Sequence, residues 1–138
     1  MSRPELTAAA QRIGDRWSLV ILDALATGPQ RFGELSDQLD GIAPNILTKR
    51  LRQLEADGII SSSAYSERPV RLAYELTDSG RDLASALELL AAWGARHQHA
   101  GDDGAIHRAC GSTLEVRLWC PTCGDLVERA DATEDIHL

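Results

Sequence analysis

Two groups of residues have the types and spacing to do chemistry. The first is a row of polar and basic side chains, Asn45, Thr48, Lys49, Arg52 and Gln53, spaced to share one face of a helix, with Arg68 and Arg71 further on. Arginine, lysine, asparagine and glutamine pair with base edges in a DNA major groove, and threonine reaches phosphate oxygens. The second group is His107, Cys110, Cys120 and Cys123, which includes all three cysteines of the chain. The segments HRACG and CPTCG each hold two ligands two residues apart, followed by glycine, as in the paired knuckles of a zinc ribbon. Together they would supply a closed Cys3His tetrahedron around a structural zinc, with no open position for hydrolytic chemistry. Gly111 and Gly124 would permit the tight turn that aims backbone N–H groups at thiolate sulfur.

Each group also has a plainer reading. A charged helix face is often merely solvated. The Cys120–Cys123 pair alone could be a redox dithiol, since C-x-x-C by itself is ambiguous, and the tail could be disordered with the motif a relic; metal is the favoured reading. An odd cysteine count and a reducing compartment argue against a structural disulfide. Histidine among the ligands favours zinc over iron. His97, His99 and His137 lack matching spacing and read as surface residues. No glycine-rich phosphate loop, nucleophile elbow or carboxylate pair stands out, so no enzyme is expected.

The elements that must position these residues follow from the pattern. Pro4 suits a first helical turn, and Leu6, Ala10, Ile13 and Trp17 recur at helical spacing. Gly14 interrupts, and Asp15 is placed to cap a second helix from Trp17 to Leu25, apolar nearly all round and so expected at the centre of the core. Gly28-Pro29 ends it. Phe32, Leu35 and Leu39 mark a short third helix, and Asp40 to Ala43 form the turn before Pro44. In the fourth helix Leu47, Leu51 and Leu54 pack inward, leaving the polar row outward. Gly58 closes it. Strands over Ile59–Tyr65 and Val70–Thr77 then form a hairpin through Ser66-Glu67-Arg68-Pro69, with Leu72, Tyr74 and Leu76 on one face and Arg71, Ala73 and Glu75 on the other. Thr77-Asp78-Ser79 caps a long last helix toward His97. Its apolar positions wrap around more than one face, which calls for a second copy of the chain. Leu114 to Leu118 alternates like a strand between the two knuckles.

Composition is compatible with this organisation. A chain of 138 residues and 15.0 kDa suits one domain, residues 1–100, plus a small appendage, residues 101–138. The formal charge of −7 is unevenly placed: 11 basic and 13 acidic residues up to Gly101, against 3 and 8 from Asp102 onward. A basic strip on an acidic protein still binds phosphates, with weak long-range steering. No export signal is visible, so the cytoplasm is the expected location.

The run GDRWSLVILDALATGPQRFGELSDQLDGIAPNILTKRLRQLEADGIISSSAYSERPVRLAYELTDSGRDL resembles the HxlR family of bacterial winged helix-turn-helix regulators. The resemblance implies a mainly α (α+β) fold, with the polar row and the wing arginines on double-stranded DNA. It also implies a homodimeric transcription factor, here expected to be a repressor, on a near-palindromic site. Dimerisation in the family uses the first and last helices, which assigns Leu6, Ile13, Leu87, Leu90 and Trp93 to the interface. No residue points to the chemistry of a small-molecule effector. The chain departs from the family twice. Many members carry a cysteine before the proline near the N-terminus, which some use to sense electrophiles or oxidants, where this chain has Arg3. The residue before Pro44 is often serine and here is Ala43. Two other readings stand beside this one: a regulator that senses oxidants through Cys120 and Cys123, and a winged-helix module that binds protein instead of DNA.

Overall fold

The computed structural model of the chain describes residues 3–98, 106–115 and 117–128. The chain divides into two compact units, Met1–Glu88 and Leu89–Leu138, the boundary falling inside the last long helix.

In the first unit, α1 (Pro4–Ile13) has Pro4 in its first turn and no buried residue. Gly14 ends it: its N–H bonds Ala10 O at 2.8 Å, and a Cβ on Gly14 would lie 2.3 Å from that oxygen. Helix α2 (Arg16–Ala26) is capped by Asp15, whose side chain accepts from Ser18 N. It buries Ser18, Ile21, Leu22 and Leu25, while Val20 and Asp23 stay exposed. The expectation that α2 is buried all round is therefore corrected: its apolar composition supplies one core face and leaves a surface stripe. A two-residue strand, β1 (Gln30–Arg31), precedes α3 (Phe32–Gln38), and α4 (Pro44–Ala56) follows the turn. This α3–turn–α4 unit packs on α2 through Leu35, Leu39, Ile42, Leu47, Leu51 and Leu54.

Helix α4 ends in a Schellman arrangement. Gly58 takes φ +71°, its N–H bonds Glu55 O, and Ile59 N bonds Leu54 O, each at 3.0 Å. The chain then enters β2 (Ile60–Glu67) and β3 (Val70–Leu76), which pair antiparallel with a register irregularity between Ala64 and Ser66. Strand β1 adds to the free edge of β3, giving the order β1-β3-β2. The connection is shorter than the expected Ser66–Pro69, because β2 runs on to Glu67 and only Arg68 and Pro69, joined by a cis peptide, form the turn. Leu76 is buried and Leu72 and Tyr74 half-buried, while Arg71 and Glu75 are exposed. Thr77 joins the sheet to α5 (Asp78–Gln98): its hydroxyl donates to Gly58 O and accepts from Gly80 N.

The second unit holds the rest of α5 and a hairpin of β4 (Leu118–Cys120) and β5 (Asp125–Val127). A strand was expected over 114–118. Instead, pairing begins at Leu118 and closes across the CPTCG turn, while residues 114 and 115 carry no regular structure and Val116 lies outside the described residues. His99 and His137 also lie outside them. Among the described residues, no helix is long and apolar enough to cross a membrane.

Candidate nucleic-acid interface

Helix α4 separates its faces cleanly. Leu47, Leu51 and Leu54 are fully buried, and between them the backbone turns the polar row outward. Asn45, Lys49, Arg52 and Gln53 are exposed and Thr48 half-buried. These five residues, the whole expected row, line one shallow, open concavity of about 500 Å3. Two of them carry local bonds. Thr48 Oγ1 donates to Pro44 O at 2.9 Å, and Gln53 Nε2 donates to Asp57 Oδ1 at 3.2 Å. Lys49 and Arg52 are in no ion pair found among the described residues.

The remaining charge on α4 is spent on architecture. Arg50 is half-buried, and its Nε lies 3.3 Å from Asp15 Oδ1, close enough for charge pairing but misaligned for a hydrogen bond. Burial pushes the Asp15 carboxyl up, but hydrogen bonds from the Ser18 hydroxyl and amide, with the Arg50 charge, bring it below its ordinary 3.8. Asp15 therefore caps α2 and anchors α4 at once. Glu55 accepts from Ser62 Oγ at 2.5 Å, tying α4 to β2. Burial, then the Glu55 charge, raise the Tyr74 hydroxyl, with Arg52 opposing them. The helix is thus held from both sides by residues outside its solvent-facing row.

Arg68 sits in the wing turn and Arg71 at the start of β3, both exposed. The fold adds a third arginine that the sequence pattern did not single out. Arg31 pairs with Ala73 across β1 and β3, so it shares a sheet face with Arg71. Its guanidinium stacks 4.4 Å from the Tyr65 ring centroid. A strand of two residues has no periodicity to detect, and the one available signal was the arginine itself just before Phe32.

The expected interface residues divide. Leu6 is 66% exposed, Trp93 55% and Leu90 49%. Leu87, by contrast, belongs to the first unit's buried core, and Ile13 is half-buried against that core. Part of the helical stripe that looked surplus is thus used within the chain's own core.

In the tail, His107 Nδ1 lies 3.2 Å from Cys110 Sγ, and Cys123 N donates to Cys120 Sγ at 3.5 Å. Bonds from the Ser112 hydroxyl and amide, then His107, lower the Cys110 thiol to about 7. The Cys123 backbone and thiol, with the Thr122 amide, lower Cys120. Among the described residues, no three His, Cys, Asp or Glu side chains are gathered as a metal ion would need. The expected four-ligand cluster is therefore present as two separate pairs.

Comparison with known proteins is consistent across sequence and structure. Residues 12–102 match the HxlR-like helix-turn-helix family. YtcD, an uncharacterised HTH-type transcriptional regulator of Bacillus subtilis (strain 168), is 39% identical over 109 residues, covering 79% of this chain and 80% of the relative. An uncharacterised HTH-type transcriptional regulator of Mycobacterium tuberculosis (strain H37Rv) is 35% identical over 130 residues, covering 92% and 82%. The reduced form of the transcriptional regulator YodB from B. subtilis superposes with a TM-score of 0.62 at 31% identity, over 74% of this chain and 100% of that one.

Proposed function

Because this chain belongs to the HxlR-like helix-turn-helix family, and so is a winged helix-turn-helix transcriptional regulator and not an enzyme, we propose that it represses transcription as a homodimer on a near-palindromic operator. In this reading α4 enters the major groove. Lys49, Arg52, Asn45 and Gln53 meet base edges, and Thr48 meets the backbone. The wing lies along the adjacent phosphates through Arg68 and Arg71, with Arg31 behind them. The observation that carries the reading is the row of five solvent-facing polar side chains, Lys49 and Arg52 outside any ion pair found among the described residues, on a helix whose other face is fully buried. A face kept polar and basic, on a helix pinned by Asp15 and Ser62 from outside that face, is built to be presented.

Dimerisation is supported by the apolar side chains that α1 and α5 leave uncovered: Leu6 on the first, Leu89, Leu90 and Trp93 on the second. A two-fold pair would present two copies of α4 about one DNA turn, ~34 Å, apart. Duplexes enriched from random DNA by the protein test the assignment. The combined variant Lys49→Ala, Arg52→Ala, Arg68→Ala is expected to lose specific binding while melting like the parent. Unchanged binding by that variant would remove α4 and the wing from the interface.

A further inference from the structure

The tail makes the same turn twice. In the first copy Gly111 N bonds His107 O at 2.7 Å, and in the second Gly124 N bonds Cys120 O at 2.8 Å. Each turn ends on a glycine with positive φ, +73° at Gly111 and +70° at Gly124, a conformation that favours residues without a Cβ. Each is closed by antiparallel pairing: Ile106 bridges Thr113 around the first, and Cys120 pairs Asp125 around the second. Within each turn the two potential ligands face one another. His107 Nδ1 and Cys110 Sγ are 3.2 Å apart, near the ~3.5 Å edge of a tetrahedron with zinc–nitrogen and zinc–sulfur bonds of ordinary length. Cys123 N points at Cys120 Sγ, the kind of N–H contact that orients a metal-binding thiolate.

Among the described residues of the tail, two segments repeat this geometry with no apolar core beneath them. Ile106, Leu114, Leu118, Trp119 and Leu126 are all about half exposed or more, so these hairpins bury little apolar surface. A segment of this size without a core needs a staple.

We propose that the two turns are half-sites of one structural zinc site, in which His107, Cys110, Cys120 and Cys123 close on a single ion. The three thiols release their protons to solvent, and no electron is transferred. Zinc binding draws the two hairpins together, so metal affinity is folding energy for the tail. The sulfur-rich donor set selects zinc over magnesium or calcium, and four protein ligands leave no position for a substrate. The site does not depend on how α4 meets DNA, so either proposal can fail without the other.

The test uses the full chain, purified under reducing, chelator-free conditions, with metal analysis and free-thiol counts on one sample. About one zinc per chain is expected, with thiols unreactive until a chelator or denaturant is added. Cobalt(II) substitution should show the intense visible bands of a tetrahedral thiolate site. Cys123→Ser and His107→Ala should lose most of the zinc. His107→Cys should retain it, which separates a ligand's loss from general misfolding. No metal with all thiols free, no metal with two thiols joined as a disulfide, or full zinc retained in Cys123→Ser would each overturn the proposal.

Discussion

Replacing Asp15 by alanine removes three interactions that the structure assigns to one carboxylate. The first is the cap on α2, in which Asp15 Oδ1 accepts from Ser18 N at 3.0 Å. Loss of such a cap costs about 1 kcal/mol. The second is the bond from Ser18 Oγ to Asp15 Oδ2 at 2.5 Å. Ser18 is only 2% exposed, so its hydroxyl would be stranded away from water, at roughly 1 kcal/mol or more. The third is the ion pair with Arg50, which is partly exposed and worth at most about 1 kcal/mol. Asp15→Ala should therefore destabilise by about 2–3 kcal/mol, a drop in Tm on the order of 10–20 °C for a unit of this size. Asparagine keeps a capping oxygen for Ser18 N, and its amide NH2 can donate to the Ser18 hydroxyl in place of the second carboxylate oxygen, so Asp15→Asn should lose less than about 1 kcal/mol. The sign of the pH dependence follows from the carboxyl's lowered pKa in the fold. Its charge adds stability above the unfolded value, near 3.8, and that contribution is lost as pH falls through the folded value. The gap between wild type and Asp15→Asn should thus be full at neutral pH and close in acid below about pH 4. Denaturant melts across pH measure all of this. An Asp15→Ala variant within about 0.5 kcal/mol of wild type would refute the argument. Asparagine proving as damaging as alanine would show that charge, and not the cap, does the work.

Gly80→Ala places a Cβ 2.2 Å from Ile59 O, a backbone atom that cannot step aside, and should cost about 1–3 kcal/mol in a denaturant melt. Ala43 starts α4 with no side-chain cap, so Ala43→Ser should gain about 1 kcal/mol by the same assay, with unchanged stability counting against the assigned helix start. In chelator-treated protein the alkylation rate of Cys110 should rise through a midpoint at about pH 7. Ser112→Ala, which removes the largest cause of the lowered pKa, should move that midpoint upward. An unchanged midpoint in that variant would dissociate Ser112 from the thiol.

The fold was legible where periodicity and punctuation agree. Leu47, Leu51 and Leu54 at helical spacing, closed by Gly58, identify α4 and its outward row without structural help, as Leu72, Tyr74 and Leu76 identify β3. Asp15 as a cap follows from its chemistry beside an apolar run. What stayed hidden depends on contacts between distant residues. Strand β1 has two residues and exists because β3 offers an open edge, so Arg31 joined the wing face only once the sheet was seen. The partner of Arg50 lies across two helices, and no local rule finds it. Leu87 reads as surplus on a helix rich in leucine, and only packing decides which leucines a small core takes. In the tail the repeated spacing was visible, but a spacing fixes ligands within each turn and says nothing of the distance between turns.

The central claim, that α4 and the wing bind DNA, is tested most directly by the salt dependence of duplex affinity. On a duplex enriched by the protein itself, log affinity should fall linearly with log salt concentration, with a slope of about −0.9 for every phosphate neutralised. Arg68→Ala with Arg71→Ala should flatten that slope by roughly two for each wing that touches DNA. A wild-type affinity indifferent to salt, or a slope untouched by loss of both wing arginines, would contradict the account and favour a winged-helix surface that binds protein.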